Sequence, residues 1–137
     1  MSKKAVVYWS GTGNTEAMAK AVAEGMKENG DEVTIFTVSE FSGTNPADFD
    51  LIAFGCPAMG SEVLEEMEFQ PMWDAVKSQL KGKSILLFGS YGWGSGEWME
   101  AWKADAEAEG AVLAKDPLIL NGTPDEDGLN QCKALGK

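Results

Sequence analysis

Two hydrophobic periods take turns along this chain. Ala5-Val6-Val7-Tyr8-Trp9 is apolar without a break, as in a strand covered by helices on both faces. From position 14 to 29 the period lengthens. Met18, Ala21, Val22 and Met26 recur at helical spacing, and Gly30 supplies a stop signal. Residues 33–38 read as a second strand, with Val, Ile and Phe interleaved with Thr. Ser42-Gly43-Thr44-Asn45-Pro46 then breaks the chain, leaving room for a short helical turn near Ala47. Leu51-Ile52-Ala53-Phe54 predicts a third strand, 66–80 a helix, and Ile85-Leu86-Leu87-Phe88 a fourth strand. A helix over 97–109 buries Trp98, Ala101, Trp102 and Ala106, a fifth strand runs over 111–120, and a short helix over 127–135 closes the chain.

Strands and helices in alternation, joined by right-handed crossovers, predict an α/β fold. It is one domain over 1–137 with a single doubly wound, five-stranded parallel sheet and helices on both faces. In such sheets ligands sit at the carboxyl ends of the strands, where the winding reverses. That rule singles out the loops 10–15, 55–62 and 89–96.

Composition narrows the chemistry these loops can do. All 11 basic residues are lysines, and arginine and histidine are absent. Without histidine there is no Ser-His-Asp or Cys-His nucleophile pair, no imidazole acid-base catalyst and no histidine zinc ligand. Cys56 and Cys132 are distant in sequence and form no C-x-x-C pair, so the reading is two free thiols in a reducing compartment. The net charge of −11 repels phosphate polymers and anionic lipid, which excludes nucleic acid and membrane surface as partners. No apolar stretch approaches the roughly 20 residues of a membrane span, and Lys3-Lys4 leads into no export signal. A soluble cytoplasmic protein is expected.

Ser10-Gly11-Thr12-Gly13-Asn14-Thr15 follows a strand and opens a helix. Its backbone N–H groups, three hydroxyls and one amide suit an anion held at a helix N-terminus. The loop lacks the lysine of a P-loop and the third glycine of a dinucleotide fingerprint, although Glu40 stands where a ribose-binding acid would. A merely tight turn is the competing reading. In the second loop Met59 lies among small residues at the ligand edge, where core methionines seldom fall. In the third, Tyr91 and Trp93 stand among four glycines, as stacking rings or as an interface hot spot. A phosphate nest, a soft side chain and a stacking aromatic together describe a site for a flat heterocycle bearing one phosphate. Flavin mononucleotide (FMN) fits that description.

The motifs Tyr8-Trp9-Ser10-Gly11-Thr12-Gly13-Asn14-Thr15-Glu16, Gly55-Cys56-Pro57-Ala58-Met59-Gly60-Ser61-Glu62 and Leu87-Phe88-Gly89-Ser90-Tyr91-Gly92-Trp93-Gly94-Ser95-Gly96 resemble those of short-chain flavodoxins, in the same order and over the whole chain. The resemblance implies a flavodoxin-like sheet in order 2-1-3-4-5, non-covalent FMN, and a monomeric low-potential one-electron carrier, not an enzyme. It places the phosphate on residues 10–15 with the hydroxyl of Ser90. It puts the flavin ring between Met59 and Trp93, the Gly60 carbonyl at N5, Glu62 at N3 and the Gly92 backbone at the pyrimidine edge. Pro57, Ala58, Tyr91 and Gly94 complete the implied cofactor contacts. Where some relatives carry Asp this chain has Ser61, and Pro57 removes one backbone donor near the phosphate.

No cation occurs over 28–76, a span that holds eleven acids. Reduced FMN is an anion, so a desolvated site among carboxylates raises its energy and favours donation. A Gly60 carbonyl that turns toward N5–H would stabilise the neutral semiquinone and separate the two one-electron steps, so the cycle runs mainly between hydroquinone and semiquinone. The acidic surface is expected to steer basic patches on ferredoxin- or flavodoxin-dependent reductases and oxidoreductases. The alternative is an FMN-dependent NAD(P)H:quinone oxidoreductase of the same fold. It would need room for a nicotinamide beside a ring covered on both faces, and this chain has no arginine for a 2′-phosphate.

Overall fold

The structure is a computed structural model and describes residues 3–11, 13–41, 44–59, 64–92 and 96–137. Its strands are β1 (Lys3–Tyr8), β2 (Glu32–Thr37), β3 (Leu51–Gly55), β4 (Ser84–Tyr91), β5 (Val112–Leu113) and β6 (Leu118–Asn121). The helices are α1 (Asn14–Glu28), α2 (Val38–Phe41), α3 (Phe69–Val76), α4 (Glu97–Ala108) and α5 (Glu126–Gly136). All strand pairs are parallel, in the order β2-β1-β3-β4-β5 that the resemblance implies.

Burial on both faces accounts for the unbroken apolar runs. Ala5 and Val7 of β1, Ile52 and Phe54 of β3, and Ile85 and Leu87 of β4 point to the side covered by α2, α3 and α4. Val6, Ala53, Leu86 and Phe88 point to the side covered by α1 and α5. The first side is built of rings set edge to face. Trp73 meets Phe54 at 5.3 Å and 79°, and Trp102 at 5.7 Å and 90°. Such pairs add about 1 kcal/mol each beyond the area they bury.

Three expectations change. The fifth strand is two short pieces, both paired to β4, and the register slips by two residues between Ile85↔Leu113 and Phe88↔Leu118. Lys115, Asp116 and Pro117 occupy the interruption, and proline brings no ladder donor. The second strand stops at Thr37 because Thr37-Val38-Ser39-Glu40 forms a capping box. Glu40 Oε1 accepts the Thr37 N–H at 2.8 Å and Thr37 Oγ1 accepts the Glu40 N–H at 3.4 Å, so that carboxylate serves α2 and not a ribose. Finally, α3 begins at Phe69, after a turn over 66–68, and ends in a 3-10 turn, Lys77–Gln79.

Candidate functional site

The carboxyl ends of β1, β3 and β4 bring the three singled-out loops to one edge. After β1 the chain leaves the sheet at Trp9, whose N–H donates to the Gly55 carbonyl at 3.0 Å. Ser10 Oγ accepts the Gly13 N–H at 3.0 Å, and Gly13 caps α1 at φ 95°, a left-handed conformation that glycine adopts without penalty. Among the described residues nothing accepts the N–H groups of Gly11, Asn14 or Thr15. Open donors at a helix N-terminus, with the positive end of the helix dipole behind them, are what an anion requires.

Thr15 and Ser90 join the first loop to the third. Both side chains are buried, and their hydroxyls lie 3.3 Å apart. The second loop is stitched to the third by Cys56 N–H on Phe88 O at 3.2 Å and Ala58 N–H on Ser90 O at 3.0 Å. Here Gly89 permits a close approach: a Cβ on it would lie 2.2 Å from the Cys56 carbonyl oxygen.

Two clefts result, with Trp9 and Gly11 in the walls of both. One, of about 400 Å³, is bounded by Gly11 and Asn14 on one side, Pro57, Ala58 and Met59 on a second, and Ser90, Tyr91 and Gly92 on a third. The other, of about 460 Å³, holds Ser10 and Gly13 together with Tyr8, Glu16 and Glu68. Eight of the sequence-derived residues thus meet in the first cleft and two more in the second, while Thr15 supports them from beneath. Thr12, Gly60, Glu62, Trp93 and Gly94, named by the resemblance, lie outside the described residues, as does Ser61.

Among the described residues no lysine lines either cleft. Carboxylates do. Tyr8 Oη donates to Glu16 Oε2 at 3.0 Å, and burial, then Glu16 and Glu40, push the phenol above its usual pKa. Trp9 Nε1 donates to Glu68 Oε1 at 3.2 Å, drawing the indole toward the acidic turn where Met67 is 84% exposed. Glu65 is a different kind of acid. It is 5% exposed, and its carboxylate accepts the N–H groups of Met67, Glu68 and Phe69. Burial alone would raise its pKa, but those three donors outweigh it and hold the group below its ordinary 4.5. Its contribution to stability is therefore present above that value and lost as the pH falls through the depressed one. Burial pushes the Cys56 thiol up to about 12, so it stays protonated and inert at neutral pH.

The residues present fit FMN. Hydroxyls, an amide and backbone N–H groups form an uncharged donor set for a phosphate monoester, and the adjoining walls of Pro57, Met59 and Tyr91 are suited to a flat ring. Sequence reading missed Trp9, taken as the end of a strand, and Gly122, whose N–H donates to Tyr91 O at 2.7 Å and which also lines the first cleft. The carboxyl-end rule points to Gly122 once the last strand is seen to end at Asn121.

Residues 6–136 match the family model described as flavodoxin. The flavodoxin of Clostridium beijerinckii is 43% identical over 132 residues, covering 96% of this chain and 95% of that protein. The flavodoxin of Megasphaera elsdenii is 46% identical, covering 96% and 94%. The solution structure of two-electron reduced Megasphaera elsdenii flavodoxin superimposes with a TM-score of 0.85 at 47% identity, covering 97% of this chain and 95% of that one.

Proposed function

The chain belongs to the flavodoxin family, an FMN-binding group of electron carriers, and from that premise we propose that it shuttles single electrons between redox enzymes from a low-potential site at the carboxyl edge of its sheet. The observation that carries this reading is the uncharged donor set: hydroxyls and open N–H groups at the start of α1, beside an apolar wall, with no lysine among the described residues that line the clefts. Bound FMN supplies reversible one-electron chemistry.

The chain's own residues then have separable tasks. Residues 10–15 and the Ser90 hydroxyl hold the phosphate through neutral donors, so no cation offsets the negative charge that reduction adds. Met59 and Trp93 cover the ring faces, while Pro57, Ala58, Tyr91, Gly92 and Gly94 close its edges against water. Gly60 offers a carbonyl to a ring N–H, and Glu62 accepts a second. Glu16 and Glu68 keep the rim of the second cleft negative. The uncompensated phosphate charge, the exclusion of water and the acidic rim make a reduced cofactor more ready to give up its electron, and the rim steers partner proteins with basic patches into fast, salt-sensitive encounters. No helix among the described residues is long and apolar enough to cross a membrane, and we place the protein in the cytoplasm as a monomer that acts by transient contact.

Titrating the apoprotein with FMN should quench flavin fluorescence at one equivalent, and stepwise reduction should resolve two midpoint potentials. No binding at micromolar FMN would overturn the assignment. Turnover of NADPH with a quinone would replace the carrier by an NAD(P)H:quinone oxidoreductase.

A further inference from the structure

Met59, Gly60 and Glu62 all lie in the sequence span 57–64. Both ends of that span are held by contacts with no role in the cofactor chemistry described above. At the near end Cys56 is fully buried, its N–H donates to Phe88 O at 3.2 Å, and its carbonyl accepts the Trp98 indole N–H at 3.2 Å. At the far end the buried Glu65 carboxylate accepts three N–H groups at 2.8, 2.7 and 2.8 Å. The two ends also meet, because the Glu65 N–H donates to Cys56 Sγ at 3.4 Å.

A helix start in need of a cap is ordinarily served by Ser, Thr, Asp or Asn at the N-cap itself. In α3 the N-cap is Glu68, whose side chain makes no capping bond. The cap comes instead from three residues upstream, from the residue that also touches the end of β3. Burying a carboxylate is costly unless its lone pairs are filled, and here one carboxylate ties the turn, the helix and, through its own backbone, the strand.

We propose that Cys56 and Glu65 form a buried clasp that positions Met59 for the flavin and thereby sets cofactor affinity. Neither lines either cleft, so both are positioning residues. Fixing the backbone beside Met59 removes ordering entropy that ligand binding would otherwise have to supply. The inference rests on the reading of this edge as an FMN site.

The test uses the full chain as apoprotein and with FMN. Glu65→Gln keeps the shape but turns one acceptor into a donor facing N–H groups, and should weaken FMN binding about tenfold or more. Cys56→Ala removes the sulfur acceptor and should weaken binding by about threefold, whereas Cys56→Ser retains an acceptor and should restore near wild-type affinity. In the apoprotein, Glu65→Gln should speed amide exchange at Met67, Glu68 and Phe69. Leu135→Ala, on the far face of the sheet, is the comparator: it should lower the melting temperature and leave the FMN dissociation constant unchanged. Variants at 56 and 65 that melt lower yet bind FMN as the wild type does would overturn the clasp alone, and Cys56→Ala decides the matter if Glu65→Gln does not fold. A wild-type chain that fails to bind FMN would instead remove the functional reading, and this inference with it.

Discussion

The two ends of the one sheet are built on opposite electrical plans. At the amino ends of the strands, lysines and aspartates are tied into an ion pair and backbone hydrogen bonds. Lys4 Nζ lies 2.6 Å from Asp31 Oδ2, the Lys3 N–H donates to Asp50 Oδ2 at 2.9 Å while the Asp50 N–H donates to Lys3 O at 2.7 Å, and the Lys83 ammonium donates to the Phe49 carbonyl. At the carboxyl ends the loops meet through neutral hydroxyls and backbone groups, the lysines are absent from the cleft walls, and the nearby carboxylates of Glu16 and Glu68 accept from Tyr8 and Trp9 instead of from cations. The difference teaches where a small protein can place cations. Paired at the closed end, they tie strands together without reaching the ligand edge, so the open end keeps its donors and its negative field.

Lys4→Met should do the most damage. Its ion pair with Asp31 is largely buried, with side chains 15% and 11% exposed, and withdrawing the cation should cost about 3 kcal/mol in urea unfolding. FMN affinity should not change, and a large change would break the separation of the two ends. Gly89→Ala comes next. Its Cβ has no room beside the Cys56 carbonyl, so about 2 kcal/mol of stability should be lost, and FMN should bind more weakly because β3 and β4 part at the site. Ser90→Ala should cost about 1 kcal/mol, read as a roughly fivefold rise in the FMN dissociation constant with little effect at the other end of the sheet. Glu68→Lys should have the smallest effect, placing a cation where the sheet has none. The FMN midpoint potential should rise by no more than about 40 mV in a one-electron step, and the rise should shrink with added salt. An unchanged or lower potential would show that the acidic rim does not set the redox poise.

Much of this was legible in the chain. Ala5-Val6-Val7 and Leu51-Ile52-Ala53-Phe54 announce strands buried on both faces, because neither face can tolerate a polar residue. Ser10, Gly11 and Asn14 stand out in the sequence because a Gly-rich turn between a strand and a helix exposes donors by local geometry alone, and they line the two clefts. Glu65 escaped notice for the opposite reason. In sequence it is one acid in a run of acids, and only its three backbone partners and its burial separate it from Glu66 and Glu68. Glu40 likewise stands where a ribose ligand would, and the capping box claims it. The pattern predicts too long a last strand because Leu118, Ile119 and Leu120 continue the apolar run of Val112 and Leu113, and nothing local reveals a two-residue slip against β4.

By itself the sequence determined the winding of the sheet, the three loops at its carboxyl edge and the neutral character of their donors, since periodicity, glycine placement and the want of arginine and histidine act locally or through composition. Tertiary structure alone decided which carboxylates are structural and which form the rim, and that Trp9 stands between two clefts. Those outcomes depend on partners such as Glu68 for Trp9 and Phe88 for Cys56, brought within hydrogen-bond reach only when strands distant in the chain lie side by side.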